Sequence, residues 1–245
     1  MSAVTKAIGL AKKLKHRYQD EIRARTPVYL SPVRRIERVS LPQRVCAMTF
    51  DDGPCRLPAN PSSDGKPLTL SLLESLEAFG AHGTFDIVGD TSENYPDKPG
   101  KEGSASWGGI RYDHYPDIHK DADGGAVHCP ELVQRILDGG HEITSHTYRH
   151  VLYGPKPLVY GGRQPFENLA EVTQDLRRLD ELMRRDYGYA IRLSRPPHYV
   201  DSTKDGFTSY DAHALLGYQY LAASFDGAGW LPLSSFDAEV ASMLC

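Results

Sequence analysis

Two adjacent carboxylates, Asp51 and Asp52, lie between an apolar run at residues 45–48 and a Gly-Pro pair at residues 53–54. The apolar run predicts a buried strand, and the Gly-Pro pair predicts a turn at its end. Successive residues on a strand point to opposite faces, but at a frayed carboxyl end both can turn toward one site. Two carboxylates at such a short distance repel each other, so their pKa values separate unless a cation lies beside them. One aspartate could then bind a metal ion while the other accepts a proton; the alternative is a solvated turn without chemistry.

Two histidines further along the chain, His146 and His150, are four positions apart. This spacing predicts two imidazoles on one face of a helical turn. Two nitrogen ligands arranged in this way suit one divalent ion, although a histidine pair at this spacing also arises on protein surfaces by chance.

Arg195 is the third candidate, because it follows a short apolar stretch at residues 190–194 and precedes two prolines. Taken alone, it is compatible with a turn that carries a surface cation. The three features together, in this order along the chain, are much harder to attribute to chance.

Length and composition bound the architecture that must position these groups. A chain of 245 residues with 40% hydrophobic and 24% charged residues is typical of one globular domain of about 200 residues with an extension. It contains no run of about eighteen apolar residues and no apolar segment followed by a cleavage site, so we expect no transmembrane segment and no secretory signal.

The four cysteines, Cys46, Cys55, Cys129 and Cys245, form no CxxC pattern. They predict free thiols in a reducing compartment, with a disulfide from Cys46 or Cys55 left open. Together with the missing secretory signal, they predict a cytoplasmic location.

Positive charge is concentrated at the amino terminus, where residues 1–44 hold eleven Lys or Arg and three acidic residues. A basic arm of this kind could bind nucleic acid or an anionic membrane. Residues 4–22, however, carry apolar side chains at helical spacing, which predicts an amphipathic helix that docks on the body or forms a homo-oligomer. We favour the helix and expect no nucleic acid partner. Residues 26–42, with three prolines, are interpreted as an extended connector.

The rest of the chain alternates between predicted strands and helices. Strands are predicted at residues 45–50, 83–89, 141–144, 190–194 and 218–225, and helices at residues 68–79, 130–138, 166–185 and 210–216. This alternation predicts an α/β barrel or a doubly wound sheet, with the candidate side chains at strand ends. Residues 91–127 show no periodicity; their aromatic side chains suit sugar stacking, and a family-specific insertion is the alternative.

Three motifs resemble those of the polysaccharide deacetylases, the NodB-homology enzymes that are also called carbohydrate esterase family four. The first is TFDDGP at residues 49–54, which matches in full, and the second is HTYRH at residues 146–150, which matches in spacing and residue type. The third is RPP at residues 195–197, which matches except that His198 stands at the aromatic position. The resemblance covers residues 44–230.

The resemblance implies a distorted (β/α) barrel of the NodB-homology type, with residues 44–245 as the catalytic domain after the extension at residues 1–43. Five strands are predicted, so we expect the domain to lack its last strands and to be C-terminally incomplete in this chain. The family's fifth motif, a leucine-flanked histidine that acts as general acid, has no match. Gly229 stands where the fourth motif places an aspartate before Trp230. A truncated product, completion by another chain and an inactive relative all remain open.

The resemblance also implies the roles of the central residues. Asp52, His146 and His150 would be the ligands of one divalent metal ion, zinc before cobalt, nickel or iron. Asp51 would be the general base that activates metal-bound water for hydrolysis of an N-acetyl or O-acetyl group on a carbohydrate. Arg195 would hold that base ionised and oriented.

Four further residues are implied as substrate contacts, namely Pro197, His198, Tyr199 and Trp230. Of these, Trp230 would line the acetyl pocket. A backbone N–H near the turn at residues 196–197 could share the charge of the oxyanion.

Two alternatives keep the metal site and change the function. Some NodB-like proteins open small cyclic amides or imides in the cytoplasm, and the missing signal suits that function equally well. The second alternative is a metal-binding module that holds a glycan without turning it over. The expected partner is therefore an N-acetylated glycan or a small amide.

Overall fold

A computed structural model of the chain describes residues 33–38, 45–58, 65–91, 106–107, 110–111, 123–155, 164–225, 237–238 and 241. All of these residues belong to the unit Val33–Cys245. The predicted amino-terminal helix and Trp230 lie outside the described residues, so both remain predictions, as does the domain boundary near residue 43.

Six parallel strands form the central sheet. They are β1 (Arg35–Ile36), β2 (Thr49–Gly53), β3 (Thr84–Ile87), β6 (Glu142–Ser145), β7 (Leu193–Ser194) and β8 (Gln219–Leu221). Their order is β1-β8-β7-β6-β3-β2, and every neighbouring pair is parallel. Within the described residues β1 and β2 are not paired with each other, so the sheet is not closed into a complete barrel there. Two short strands, β4 (Ser106–Trp107) and β5 (Ile110–Arg111), form a separate antiparallel pair.

Four α-helices lie between the described strands of the sheet, as parallel connections require. They are α1 (Leu68–Ala78), α2 (Pro130–Asp138), α3 (Leu169–Tyr187) and α4 (Ser209–Leu216), and a 3₁₀ turn spans Pro197–Tyr199. Among the described residues, no helix is long and apolar enough to cross a membrane.

The ends of α3 show why the predicted helices form where they do. The Asn168 side chain accepts a hydrogen bond from the Glu171 N–H at 3.0 Å, which satisfies one of the free donors of the first turn. Gly188 ends the helix in the left-handed conformation, at a φ of 64°, where a side chain would be strained. The four helices confirm the four predicted from periodicity.

The core lies between the sheet and the helices. Its strand residues include Phe85, Ile87 and Ile143, and its helix residues include Val133, Ile136, Val172, Leu176, Leu179 and Met183. All are fully or almost fully buried. The apolar stripe of α3 therefore packs as its spacing predicts.

Three expectations differ from the structure. The apolar run at residues 45–48 is exposed, with 65% exposure at Val45 and 52% at Met48, because the edge strand β2 begins only at Thr49. Phe79 is 88% exposed, because it is the residue after α1 and has left the helical face. The predicted connector contains a strand, β1, that pairs with β8 and was not predicted.

Candidate active site

The candidate side chains meet at one edge of the sheet, at the carboxyl ends of its strands. Asp51 pairs in register with Asp86 of β3, and Asp86 pairs with Thr144 of β6. His146 directly follows β6, and Arg195 directly follows β7. Because the strands are parallel, their carboxyl ends lie together. The sequence prediction of a shared strand-end location is therefore confirmed.

A bulge in β2 turns both aspartates toward the same cleft. The register with β3 shifts between Asp51 and Gly53, so Asp52 is the inserted residue. Asp52 has a φ of 68°, a left-handed conformation that non-glycine residues seldom adopt outside special sites. Adjacent strand residues would normally face opposite sides, and the bulge removes that alternation.

The histidine pair is presented by a loop and not by the predicted helical turn. Residues 146–150 have no helical hydrogen-bond pattern, and Thr147 and His150 have φ values of 74° and 55°. The ring centroids of His146 and His150 are nevertheless 5.1 Å apart. Left-handed residues in the loop, and not a repeat of 3.6 residues, bring the two rings together.

A buried carboxylate from α3 holds this loop in place. Asp175 accepts the N–H of Tyr148 at 2.6 Å, and its second oxygen lies 2.7 Å from Nε of Arg149. The Asp175 side chain is 1% exposed. Burial raises its pKa, and the Arg149 side chain opposes that rise. Asp175 is thus positioned to fix the backbone between the two histidines.

The two imidazoles and Asp52 form a set of three converging donors. Asp52 Oδ1 lies 3.2 Å from His146 Nε2 and 3.0 Å from His150 Nε2, and all three ligand atoms lie within 4.8 Å of one another. In a tetrahedron with zinc bonds of 2.0–2.1 Å, donor atoms are about 3.3 Å apart. One carboxylate and two imidazoles at these separations therefore fit a divalent ion such as zinc.

Solvent has access to this set from the side of the aspartate. The Asp52 side chain is 65% exposed, whereas those of His146 and His150 are 4% and 7% exposed. Three protein ligands with one open side are the arrangement of catalytic rather than structural zinc sites.

Attraction between the Asp52 carboxylate and the two imidazoles shifts the pKa values of Asp52 and His146. Desolvation in the cleft raises the pKa of Asp52, but the facing His150 and His146 lower that pKa by more, and it stays well below its ordinary value. Because solvent reaches the Asp52 carboxylate, we regard the imidazoles as the decisive influence. Burial lowers the pKa of His146, but Asp86 and Asp52 raise it well above the ordinary value.

Beside the donor set, Arg195 is paired with Asp51. Its NH1 donates to Asp51 Oδ1, its NH2 to Thr49 Oγ1 at 3.0 Å, and its Nε to the Leu221 carbonyl at 3.3 Å. Arg195 is 3% exposed, so it is not a surface cation. Burial raises the pKa of Asp51 to about 6, although His146 and Arg195 oppose the rise. At neutral pH Asp51 is mostly ionised and can accept a proton.

The predicted substrate contacts fall partly inside the described residues. The His198 ring lies 5.5 Å from that of His150, and the Tyr199 ring lies 5.6 Å from the Arg195 guanidinium. The Tyr199 N–H donates to the Pro196 carbonyl at 3.0 Å, and the oxyanion donor expected near this turn stays a prediction. Pro197 is buried beneath the turn.

Two site residues were missed by sequence reasoning. Asp86 is a charged residue inside an apolar strand segment, and Asp175 stands on the apolar stripe of α3, three positions after Val172. A charge at a position that the pattern assigns to the core is a signal of a paired, buried group. That signal was available for both.

Comparisons with known proteins point to one family. Residues 38–220 match the sequence profile of the family described as Polysaccharide deacetylase. A peptidoglycan-N-acetylglucosamine deacetylase of Bacillus cereus is 24% identical over 157 residues, which is 62% of this chain and 35% of that protein. The peptidoglycan-N-acetylmuramic acid deacetylase PdaC of Bacillus subtilis is 32% identical over 193 residues, or 76% of this chain and 29% of that protein. The chain thus spans about a third of the length of these curated relatives.

Solved structures support the fold. A CE4 family pseudoenzyme from Bacillus anthracis matches 86% of this chain and 54% of its own, with a TM-score of 0.54 and 12% identity. A mutant CE4 family pseudoenzyme with restored enzymatic activity also gives a TM-score of 0.54, at 14% identity, over 86% of this chain and 56% of its own. The α/β fold with a parallel sheet is therefore the one that the resemblance implied.

Proposed function

This chain belongs to the polysaccharide deacetylase family, and we propose that it is a metal-dependent hydrolase that removes N-acetyl groups from amino sugars of a glycan. The observation that carries the proposal is the pairing of Asp51 with Arg195 directly beside the donor set of Asp52, His146 and His150. Both curated relatives are named as deacetylases of peptidoglycan sugars. We therefore propose a peptidoglycan-type glycan as the substrate class.

Asp52, His146 and His150 would hold one divalent ion, with zinc favoured by two imidazoles and one carboxylate. When bound, such an ion supplies Lewis-acid polarisation of the acetamide carbonyl and lowers the pKa of water. The buried histidines and the solvent-facing Asp52 leave room for substrate on the exposed side.

Asp51 is the proposed general base. Its Oδ1 accepts from Arg195, which leaves Oδ2 to take the proton of the attacking water. Arg195 keeps the carboxylate oriented, and its positive charge favours the ionised form. We propose that Asp51, once protonated, returns that proton to the departing amine, so that one group serves both halves of the amide hydrolysis.

His198 and Tyr199 are proposed to shape the substrate side of the cleft. Both adopt left-handed backbone conformations, with φ values of 54° and 55°. Such conformations persist where the surrounding structure fixes them. They direct the His198 ring toward His150 and the Tyr199 ring toward Arg195.

Acetate release tests the substrate class. Zinc-supplemented protein is incubated with N-acetylglucosamine oligomers, with peptidoglycan and with small cyclic amides, and acetate or ring opening is measured. The proposal expects acetate from at least one glycan and no ring opening. Ring opening without acetate would favour a cyclic amide hydrolase, and glycan binding without either product would favour a binding module.

A further inference from the structure

A fully buried carboxylate stands behind the imidazole of His146. Asp86, on β3, has 0% exposure. Its Oδ1 accepts the Thr144 hydroxyl at 2.5 Å, and its Oδ2 lies 2.7 Å from Nδ1 of His146. A buried carboxylate persists when it is paired and hydrogen-bonded. Oδ1 has the hydrogen bond from Thr144, and Oδ2, which makes no hydrogen bond of good angle among the described residues, has the ion-pair contact with the His146 ring.

The surroundings of Nδ1 determine where the His146 proton lies. Besides Asp86 Oδ2, the Arg195 carbonyl oxygen lies 2.9 Å from Nδ1. A carbonyl and a carboxylate can only accept hydrogen bonds, so Nδ1 must carry the proton. In the neutral ring, Nε2 then has a free lone pair, and this is the nitrogen that faces Asp52.

We propose that Asp86 is a positioning residue of the metal centre: its carboxylate lies beside the Nδ1–H that His146 directs to the Arg195 carbonyl, keeps the proton on Nδ1, and so presents Nε2 to the ion as a more basic ligand. Thr144, on the neighbouring strand, orients the carboxylate for this contact. Partners of this kind change metal affinity because they set the tautomer and basicity of the ligand. The proposal rests on the metal site of the proposed function.

A second ion is the competing interpretation, because ligand atoms of Asp51, Asp86 and His146 also lie within 4.8 Å of one another. The guanidinium of Arg195 already donates a hydrogen bond to Asp51, and the Arg195 carbonyl already accepts one from Nδ1 of His146. A cation placed between these groups would be repelled by the arginine. It could not bind Nδ1, because that nitrogen carries a proton and has no free lone pair. The geometry therefore assigns Asp86 to positioning.

Zinc affinity measured by competition with a chromophoric chelator tests the proposal. Asp86→Asn keeps the size and an acceptor but removes the charge, and we expect zinc to bind about 10–100-fold more weakly. Thr144→Val should weaken binding in the same direction and by less. Asp186→Asn, which removes a carboxylate from an exposed pair with Arg185 on α3, is the control and should bind zinc as the unaltered protein does.

Equal zinc affinity of Asp86→Asn and the unaltered protein would overturn the role of Asp86 alone, whereas failure of the unaltered protein to bind zinc would contradict the proposed function itself. A second measurement needs no variant. Nitrogen NMR of the zinc-loaded protein should show the His146 proton on Nδ1 and zinc on Nε2. Zinc on Nδ1, or two ions per chain, would overturn the proposal.

Discussion

Arg195 donates a hydrogen bond to Asp51, which lies 144 positions earlier in the chain. Their strands, β7 and β2, are separated in the sheet by β6 and β3. Neighbouring strands are about 4.8 Å apart, so a flat sheet would place β7 about 14 Å from β2. The two side chains together cannot span that interval. The sheet must therefore curve strongly, as a barrel wall does, so that these strand ends face one interior.

Replacing Arg195 should shift the acidic limb of the pH–activity profile. A general base works only when ionised, and Arg195 opposes the rise of the Asp51 pKa to about 6. Arg195→Met removes the positive charge, so we expect the Asp51 pKa to rise and activity to fall away at a higher pH. Arg195→Lys keeps the charge and should shift the limb less, which a pH series of kcat/KM measures. Identical acidic limbs in all three proteins would argue against Asp51 as the base.

Loss of either imidazole should remove the ion. Protein purified without chelator should contain one divalent ion per chain, and His146→Ala and His150→Ala should contain much less, because each removes one of three ligands. His82→Ala alters an exposed histidine and is the control. Elemental analysis of the four proteins gives the answer. Equal metal content throughout would contradict the ligand assignment.

Asp175→Asn should loosen the loop that carries the histidines. The amide can still accept the Tyr148 N–H, but it loses the ion pair with Arg149, and we expect a loss of about 1–3 kcal/mol in the free energy of unfolding. Zinc affinity should fall as well, since the loop sets the separation of the two rings. Urea unfolding and chelator competition measure the two effects. Asp186→Asn, at an exposed pair on the same helix, should change neither.

His213 predicts how stability depends on pH. It is fully buried on α4, its ring nitrogens have no hydrogen-bond partner among the described residues, and burial lowers its pKa to about 3. In the unfolded chain a histidine has a pKa of about 6.5. As pH falls, His213 is protonated in the unfolded state before it is protonated in the folded state. The folded state therefore has its full stability relative to the unfolded state above pH about 6.5, and loses stability progressively as pH falls toward about 3.

The measurement is urea unfolding at pH 7.5 and pH 5.5. His213→Leu should lose about 1 kcal/mol less stability between these values than the unaltered protein. His82→Leu, at an exposed histidine, should lose as much as the unaltered protein. An unchanged pH dependence in His213→Leu would show that the buried imidazole does not cause the acid loss.

Local patterns predicted the helices and the strand ends, whereas long-range contacts decided the rest. The apolar repeat from Val172 to Met183 is a local property, and α3 follows it. The left-handed conformations of Asp52 and His150 depend on the register with β3 and on the loop held by Asp175, which no local pattern encodes. The candidate residues named from the motifs lie together, but the loop that presents the two histidines was not predicted for that reason.

Asp86 and Asp175 show a second reason why the sequence did not predict the whole site. Each stands on an apolar face, and its partners, His146 and Tyr148, come from other elements of the chain. A sequence indicates that such a charge needs a partner, but not which one. The pairing becomes visible only when strands and helices are assembled.

The division of labour between the two adjacent aspartates is tested most directly by measuring zinc content and acetate release together in Asp51→Asn and Asp52→Asn. Asp51→Asn removes the base and no ligand, so it should keep zinc near the level of the unaltered protein and lose turnover by roughly 10²–10⁴-fold. Asp52→Asn removes a ligand, so it should lose zinc and turnover together. Equal loss of zinc in both variants, or acetate release by Asp51→Asn at the unaltered rate, would contradict the assignment of Asp51 as base and Asp52 as ligand.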